Sequence, residues 1–209
     1  MSSNAIGKDM NDQQVINFEQ YLGLLLKWNR AYNLTAINDP IEVFDKHFAD
    51  SAMALQLIPE DVKIVDIGTG AGFPGIPIKI LRKDVKVTLI EATEKKVTFC
   101  EHVIRELKLN GIKVINGRVE DENVRKAAGK FDFVISRATL KLGKYAQVAE
   151  PYLKRGGYMI AMVGSSWADD FDKGISKIKK AGLKLIKVHE YRLPMSQSER
   201  ALLVFEKKL

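Results

Sequence analysis

Apolar residues in the first part of the chain recur with a helical period. Val15, Phe18, Leu22 and Leu25 fall on one face of residues 11–32, and Asp12 stands where a cap belongs. Asp39 and Pro40 open a second helix, since Asp accepts from free first-turn amides and Pro suits that turn. Phe44, Phe48, Ala52 and Leu55 would form its buried stripe. From residue 62 the pattern changes to short β-rich runs. "KIVDI" (63–67), "KVTLIE" (86–91), "KVING" (113–117), "FDFVISRA" (131–138) and "GGYMIAMVG" (156–164) predict strands. Helical spacing separates them. "PGIPIKILRK" (74–83) has prolines only in its first turn. "TEKKVTFCEHVIRELKLNG" (93–111) aligns Val97, Cys100, Ile104 and Leu107 and closes on Gly111. "LGKYAQVAEPYLKRG" (142–156) lies between the last two strands. Such alternation predicts an α/β fold with a mostly parallel, doubly wound sheet. "LKLIKVHEYRL" (183–193) and "ERALLVFEKKL" (199–209) have no helix between them, so an antiparallel hairpin is expected at one C-terminal edge. The expected organisation is an N-terminal helical extension over 1–60 and one compact unit over 61–209.

Composition narrows the class. The 209 residues, 46% hydrophobic, suffice for one domain with a sizeable core and a short extra segment. No run approaches the roughly 18 apolar residues of a membrane span, and the polar N-terminus lacks the order of a secretory signal. A single cysteine excludes a disulfide framework within the chain. A soluble, cytoplasmic monomer is expected. The formal charge of +7 is compatible with a nucleic-acid partner.

The stretch "VDIGTGAGFPG" (65–75) carries the chemistry. Gly68, Gly70, Gly72 and Gly75 follow a strand and open a helix, which makes a ligand site at the carboxyl end of a sheet. Dinucleotides and S-adenosylmethionine both use such a loop. Gly70-x-Gly72-x-x-Gly75 matches the dinucleotide fingerprint formally. Counted from Gly68, the first glycine after the strand, Phe73 occupies the third glycine position. Asp66 would repel a pyrophosphate and suits a cofactor with an ammonium and a cationic sulfur; capping the next helix is its structural alternative. Glu91 ends the second strand, where an acid accepts from ribose hydroxyls of either cofactor. Val119 and Glu120 or Asp121 follow the third strand, over the expected adenine. Arg137 ends the fourth strand at the cleft, as ligand group or ion-pair partner.

With S-adenosylmethionine the reaction is methyl transfer. "SRAT" after the fourth strand lacks the Asn/Asp-Pro-Pro-aromatic turn of amine methylation. Carbon methylation needs a cysteine nucleophile, and Cys100 lies on an apolar helix stripe where packing is its expected role. A ring nitrogen such as guanine N7 carries no proton and needs no general base, so positioning suffices. His47, His102 and His189 show no metal-ligand spacing, and no metal is expected. His47, Asp50 and Ser51 share a helix face that could line the cleft mouth. The rival readings are an NAD-dependent oxidoreductase, and a non-catalytic ribosome-binding factor.

The segments "KWNRAYNLTAI", "HFADS", "VDIGTGAGFPGIPIKI", "ISRA" and "ERALLVFEKK", spread over residues 27–208, resemble the bacterial small-subunit rRNA guanine-N7 methyltransferases, once called glucose-inhibited division protein B. The resemblance implies a Rossmann-like class I S-adenosylmethionine-dependent methyltransferase acting on N7 of one guanosine in 16S rRNA, as naked RNA or within the 30S particle. It places family cofactor contacts on Gly68, Phe73, Val119, Glu120 and Arg137. The chain departs from the family at Glu91-Ala92, where Asp or Asp-Ser is frequent, and after "SRA", where "TLKLGK" replaces the commoner "VASL". Lys27, Arg30, Lys141, Lys144 and Arg200 are the candidate RNA contacts, and Asn33 is a candidate neighbour of the acceptor base.

Overall fold

The computed structural model describes residues 10–137 and 140–208. Ala138 and Leu209, which close two of the expected strand segments, and Thr139 of "SRAT" lie outside the described residues. The helix α1 (Asp12–Tyr32) starts one residue earlier than Asp12 suggested. Asn11 is the cap: its side chain accepts from the Gln14 amide while the Gln14 side chain accepts from the Asn11 amide, each at 3.0 Å. Asp12 is left in the first turn, where its charge favours the helix dipole. Asp39 caps α2 (Pro40–Val43) as expected. The chain then leaves regular α geometry through a π-helical turn (Phe44–Ala49), α3 (Asp50–Ala52) and a 3-10 turn (Met53–Leu57). Phe48 and Ala52 are buried on the predicted stripe, whereas Phe44 and Leu55 are half-buried. Asp45, His47, Asp50 and Ser51 are buried in the same stretch.

The sheet follows from β1 (Lys63–Ile67), β2 (Lys86–Glu91), β3 (Ile112–Asn116), β4 (Phe131–Arg137), β5 (Leu153–Gly164), β6 (Leu183–Arg192) and β7 (Glu199–Lys207). Their order is β3-β2-β1-β4-β5-β7-β6. The first five run parallel, and β7 inserts antiparallel between β5 and β6, so the expected hairpin edge is present. The helices α4 (Gly75–Leu81) and α5 (Glu94–Glu106) cover one face together with α1. The other face carries α6 (Glu122–Ala128), α7 (Leu142–Ala149) and α8 (Trp167–Lys180).

Two expectations shift. The predicted helix over 142–156 stops at Ala149, and Pro151 sits in a 3-10 turn (Glu150–Tyr152), because its ring cannot continue the hydrogen-bond ladder. α6 and α8 are additional to the sequence expectation.

Central strands are buried on both faces, hence nearly continuous apolar runs. Ile64, Ile76, Leu89 and Phe99 form one core with Phe18, Tyr21 and Leu25 of α1 and with Phe48. Val65, Ile67, Val134, Tyr145, Met159 and Phe205 form the other. Each fully buried side chain of this size contributes roughly 1.5–3 kcal/mol. No helix among the described residues is long and apolar enough to cross a membrane.

Candidate functional site

The glycine loop runs from the end of β1 to the start of α4. Its amides at Gly68 and Thr69 donate to the Ile90 carbonyl of β2, at 2.9 and 3.2 Å. Tyr21, fully buried in α1, donates to the Ala71 carbonyl at 2.5 Å. The glycines divide into two kinds. A Cβ on Gly75 would stand 2.3 Å from Leu89 Cδ2 and 3.0 Å from Asp66 Oδ2, and one on Gly72 would stand 2.5 Å from Ile76 Cδ1. Those two are glycine because the core presses against the backbone. Gly70, at φ +62°, has nothing within 4 Å of its Cβ direction. Its left-handed backbone faces open space, which is what a ligand lying against the main chain requires.

Asp66 corrects the sequence argument. It has no exposed surface. Its Oδ2 accepts from Thr69 Oγ1 at 2.6 Å and from the Gly75 amide at 2.8 Å. Burial pushes its carboxyl up to about 7, against the hydrogen bonds from Thr69 and Gly75. Asp66 therefore organises the loop and caps the start of α4; it does not present a charge to a ligand. Its Oδ1 is buried without a hydrogen-bond partner.

Glu91 is also turned into the loop. Its Oε2 accepts from the Gly70 amide and its Oε1 from the Thr93 amide, both at 2.9 Å. Glu91 thus clamps the open-faced glycine to the end of β2. Cys100 Sγ donates to the Gly70 carbonyl at 3.5 Å, is fully buried, and burial pushes its thiol up. It packs, as its helical stripe predicted, and offers no thiolate. Val119 is half-buried, and its carbonyl accepts from Tyr152 Oη at 2.9 Å. Glu120 is exposed and pairs with Lys144 at 3.2 Å, so a predicted cofactor residue and a predicted RNA residue meet each other.

Arg137 gathers the N-terminal segment onto the sheet. Its Nη1 donates to the Lys46 carbonyl and lies 3.5 Å from Asp50 Oδ2. Its Nη2 donates to His47 Nδ1 at 2.8 Å, and its guanidinium stands 5.2 Å over the Phe73 ring. The neutral tautomer that accepts at Nδ1 carries its proton on Nε2, which donates to Thr35 Oγ1 at 3.0 Å. Burial, then the Arg137 charge, lowers His47 to about 3 and keeps it neutral. His47 also stacks on Phe73 at 4.4 Å, and Phe73 stacks on Tyr21 at 5.3 Å. The Phe73 ring is thereby occupied by packing, at 4% exposure. Tyr191 of β6 donates to Asp50 Oδ1 at 2.6 Å, while Asp45 accepts from the Met195 and Ser196 amides. These last contacts, which join the extension to the β6–β7 turn, had no local signal in the sequence.

The remaining candidates separate. Asn33 is the left-handed C-cap of α1, φ 48°, and is exposed. Lys27 and Arg30 are exposed on α1, and Lys141 is the exposed N-cap of α7. Arg200 is half-buried in β7. Among the described residues no group of three or more His, Cys, Asp or Glu side chains could hold a metal ion.

The open face of Gly70, with Gly68 before it and Glu91 beneath it, fits a small cofactor lying on the carboxyl edge of β1 and β2. The architecture is that of S-adenosylmethionine-dependent methyltransferases. A solved SAM-dependent methyltransferase from Aquifex aeolicus superposes with a TM-score of 0.63 at 16% identity, over 84% of this chain and 97% of that one. Aeropyrum pernix fibrillarin, solved with natively bound S-adenosyl-L-methionine, gives 0.55 at 17% identity over 70% and 66%. The family model for rRNA small subunit methyltransferase G (GidB) matches residues 14–201, and the chain belongs to that family. The Ribosomal RNA small subunit methyltransferase G of Desulforamulus reducens is 41% identical over 202 residues, which is 95% of this chain and 84% of that protein.

Proposed function

We propose that this protein transfers a methyl group from S-adenosylmethionine to N7 of one guanosine in the 16S rRNA of the small ribosomal subunit, in the cytoplasm. Membership of the rRNA small subunit methyltransferase G family over residues 14–201 carries the reading. It decides against the oxidoreductase and the non-catalytic binding factor. The bound cofactor supplies a methyl group activated by a sulfonium. Gly68 and Gly70 would hold it against the backbone, with Glu91 fixing that backbone from below and Val119 beside it. Arg137, held by Lys46, His47 and Asp50, sits at the end of β4 and ties the N-terminal segment to the sheet beside this site. Methyl transfer to N7 would use that nitrogen's own lone pair, with the C–S bond breaking as the N–C bond forms, and would require no proton to move. The buried Cys100 thiol and the neutral, buried His47 are consistent with that acceptor.

Radiolabelled S-adenosylmethionine, the protein and 30S subunits from cells lacking the enzyme provide the test. Label is expected in 16S rRNA, mapped by mass spectrometry to N7 of a single guanosine. Absence of label from every rRNA and ribosomal particle sinks the activity, and label at another base atom sinks the N7 assignment alone.

A further inference from the structure

At the end of the sheet opposite the glycine loop lies a cavity of about 410 Å³ whose lining includes Lys63, Lys86, Lys113 and Lys130 and no carboxylate. The placement follows from register. Lys63 of β1 is the direct partner of Lys86 of β2, so their backbones lie about 4.8 Å apart. Lys113 of β3 is the partner of Thr88, two residues along from Lys86 and hence on the same face. Lys130 enters from the residue before β4. The floor is Thr88, Phe131 and the backbone of Gly129.

Four like charges on one small face repel one another. Acidic neighbours would relieve that, and no carboxylate lines the hollow. The side chains of Lys63, Lys86 and Lys113 make no hydrogen bond or ion pair among the described residues, and Lys130 Nζ donates to the Pro151 carbonyl at 2.5 Å. The adjacent Asp132 is occupied by the Lys63 amide at 2.8 Å and by the Lys154 ammonium at 2.6 Å. An uncompensated cationic hollow of this kind matches a ligand bearing several spaced negative charges. β1 spans five residues, so the hollow is about 17 Å from the glycine loop. It is outside the reach of the cofactor and of the base being methylated.

We propose that this lysine hollow is a second RNA-binding site, which grips the phosphodiester backbone of rRNA at a distance from the methylated guanosine. The proposal rests on the rRNA methyltransferase reading. A structured ribosomal RNA folded around the protein would then be held at two ends of the sheet, and only one of them carries chemistry.

The test is the double variant Lys86→Gln/Lys113→Gln, with Lys63→Gln as a second, independent variant. Steady-state methylation is measured on 30S subunits and on 16S rRNA across a salt series. Loss of two phosphate contacts raises KM about 10- to 30-fold at 0.15 M salt and makes the log–log salt dependence shallower by between one and two. kcat and S-adenosylhomocysteine affinity stay at the wild-type values. A short RNA oligonucleotide bearing only the target loop is methylated equally by variant and wild type. Wild-type KM and salt slope in both variants overturn the proposal, as does an equal loss on the short oligonucleotide. Should the wild type methylate no rRNA at all, the activity reading fails separately. Filter binding of 16S rRNA then decides the hollow, and equal affinity of variant and wild type overturns it.

Discussion

β1, β2 and β4 each carry a charged residue at both ends, and the two ends treat it differently. At the carboxyl ends stand Asp66, Glu91 and Arg137. Asp66 and Glu91 are buried and Arg137 half-buried, and all three are hydrogen-bonded to backbone. At the amino ends stand Lys63, Lys86 and, one residue earlier, Lys130, all exposed. Parallel strands deliver their chain reversals to both ends, yet only the carboxyl end contains a loop that must hold an irregular backbone open. There the ionisable groups serve as internal fasteners, and the bare main chain of Gly70 is left facing open space. At the amino end the charges of Lys63 and Lys86 remain available to solvent or to a partner, while Lys130 also donates to the Pro151 carbonyl. A charged residue at a strand end therefore does not announce a ligand contact; its burial decides.

The largest effect that sharpens this contrast concerns the loop glycines. Gly75→Ala drives a methyl group into Leu89 and against the Asp66 carboxylate. Overpacking so tight a contact is expected to lower stability by about 3 kcal/mol. Gly70→Ala meets no atom within 4 Å and bears only the left-handed backbone strain of roughly 1 kcal/mol, yet it fills the open face. Scanning calorimetry and S-adenosylhomocysteine titration read the pair. Gly75→Ala should melt well below Gly70→Ala, while Gly70→Ala should lose most cofactor affinity. Equal melting of the two variants would show that the loop is not packed as described.

A smaller effect separates Asp66 from His47 by pH. Asp66 titrates near 7 when folded, above its unfolded value of 3.8, so its contribution is complete below pH 4 and is lost as pH rises towards 7. His47 titrates near 3 when folded, below its unfolded 6.5, so its contribution is present above pH 6.5 and is lost as pH falls. Between pH 4 and 6.5 the two oppose each other. Wild-type stability should be nearly flat there. Asp66→Asn should leave a stability that rises with pH by about 1 kcal/mol per unit, and His47→Gln one that falls with pH. The carboxyls held low despite burial, Asp45 by Ser196 and Met195 and the half-buried Asp132 by Lys154 and Lys63, act below this window. Parallel slopes in the two variants would contradict the burial of these groups.

Much of this arrangement was legible in the residues. Strand–loop–helix alternation, the hairpin edge and the glycine loop follow from local pattern, because parallel strands need apolar runs and tight turns need glycine. α8 was not legible: Trp167, Phe171 and Ile178 have helical spacing, but Gly174 interrupts the apolar stripe. It is glycine because α8 crosses α7 at backbone contact, where a Cβ would lie 2.7 Å from the Gly143 nitrogen. Such a reason is tertiary and leaves no local trace. The orientation of Asp66 was hidden in the same way. A carboxylate after a strand can cap a helix or face a ligand, and only the position of the Gly75 amide selects between them. The Arg137–His47–Asp50–Tyr191 network joins residues up to 141 positions apart, so spacing could not reveal it.

The smallest effect tests the amino end without any RNA. If Lys63 and Lys86 repel across the β1–β2 register, neutralising one of them should not destabilise the fold. Lys86→Gln is expected to raise stability by up to about 0.5 kcal/mol at low ionic strength, since surface charge interactions are of that order. The gain should vanish at 1 M salt, where the screening length is about 3 Å and shorter than the strand spacing. Melting temperatures of wild type and variant across a salt series read it directly. A variant that is less stable at low salt would mean that Lys86 has a favourable partner in the folded chain, and the hollow would no longer be an uncompensated one. Convergence of the two curves from above would instead place the repulsion at that register pair, in a sheet whose Asp66, Glu91 and Arg137 are tied to backbone.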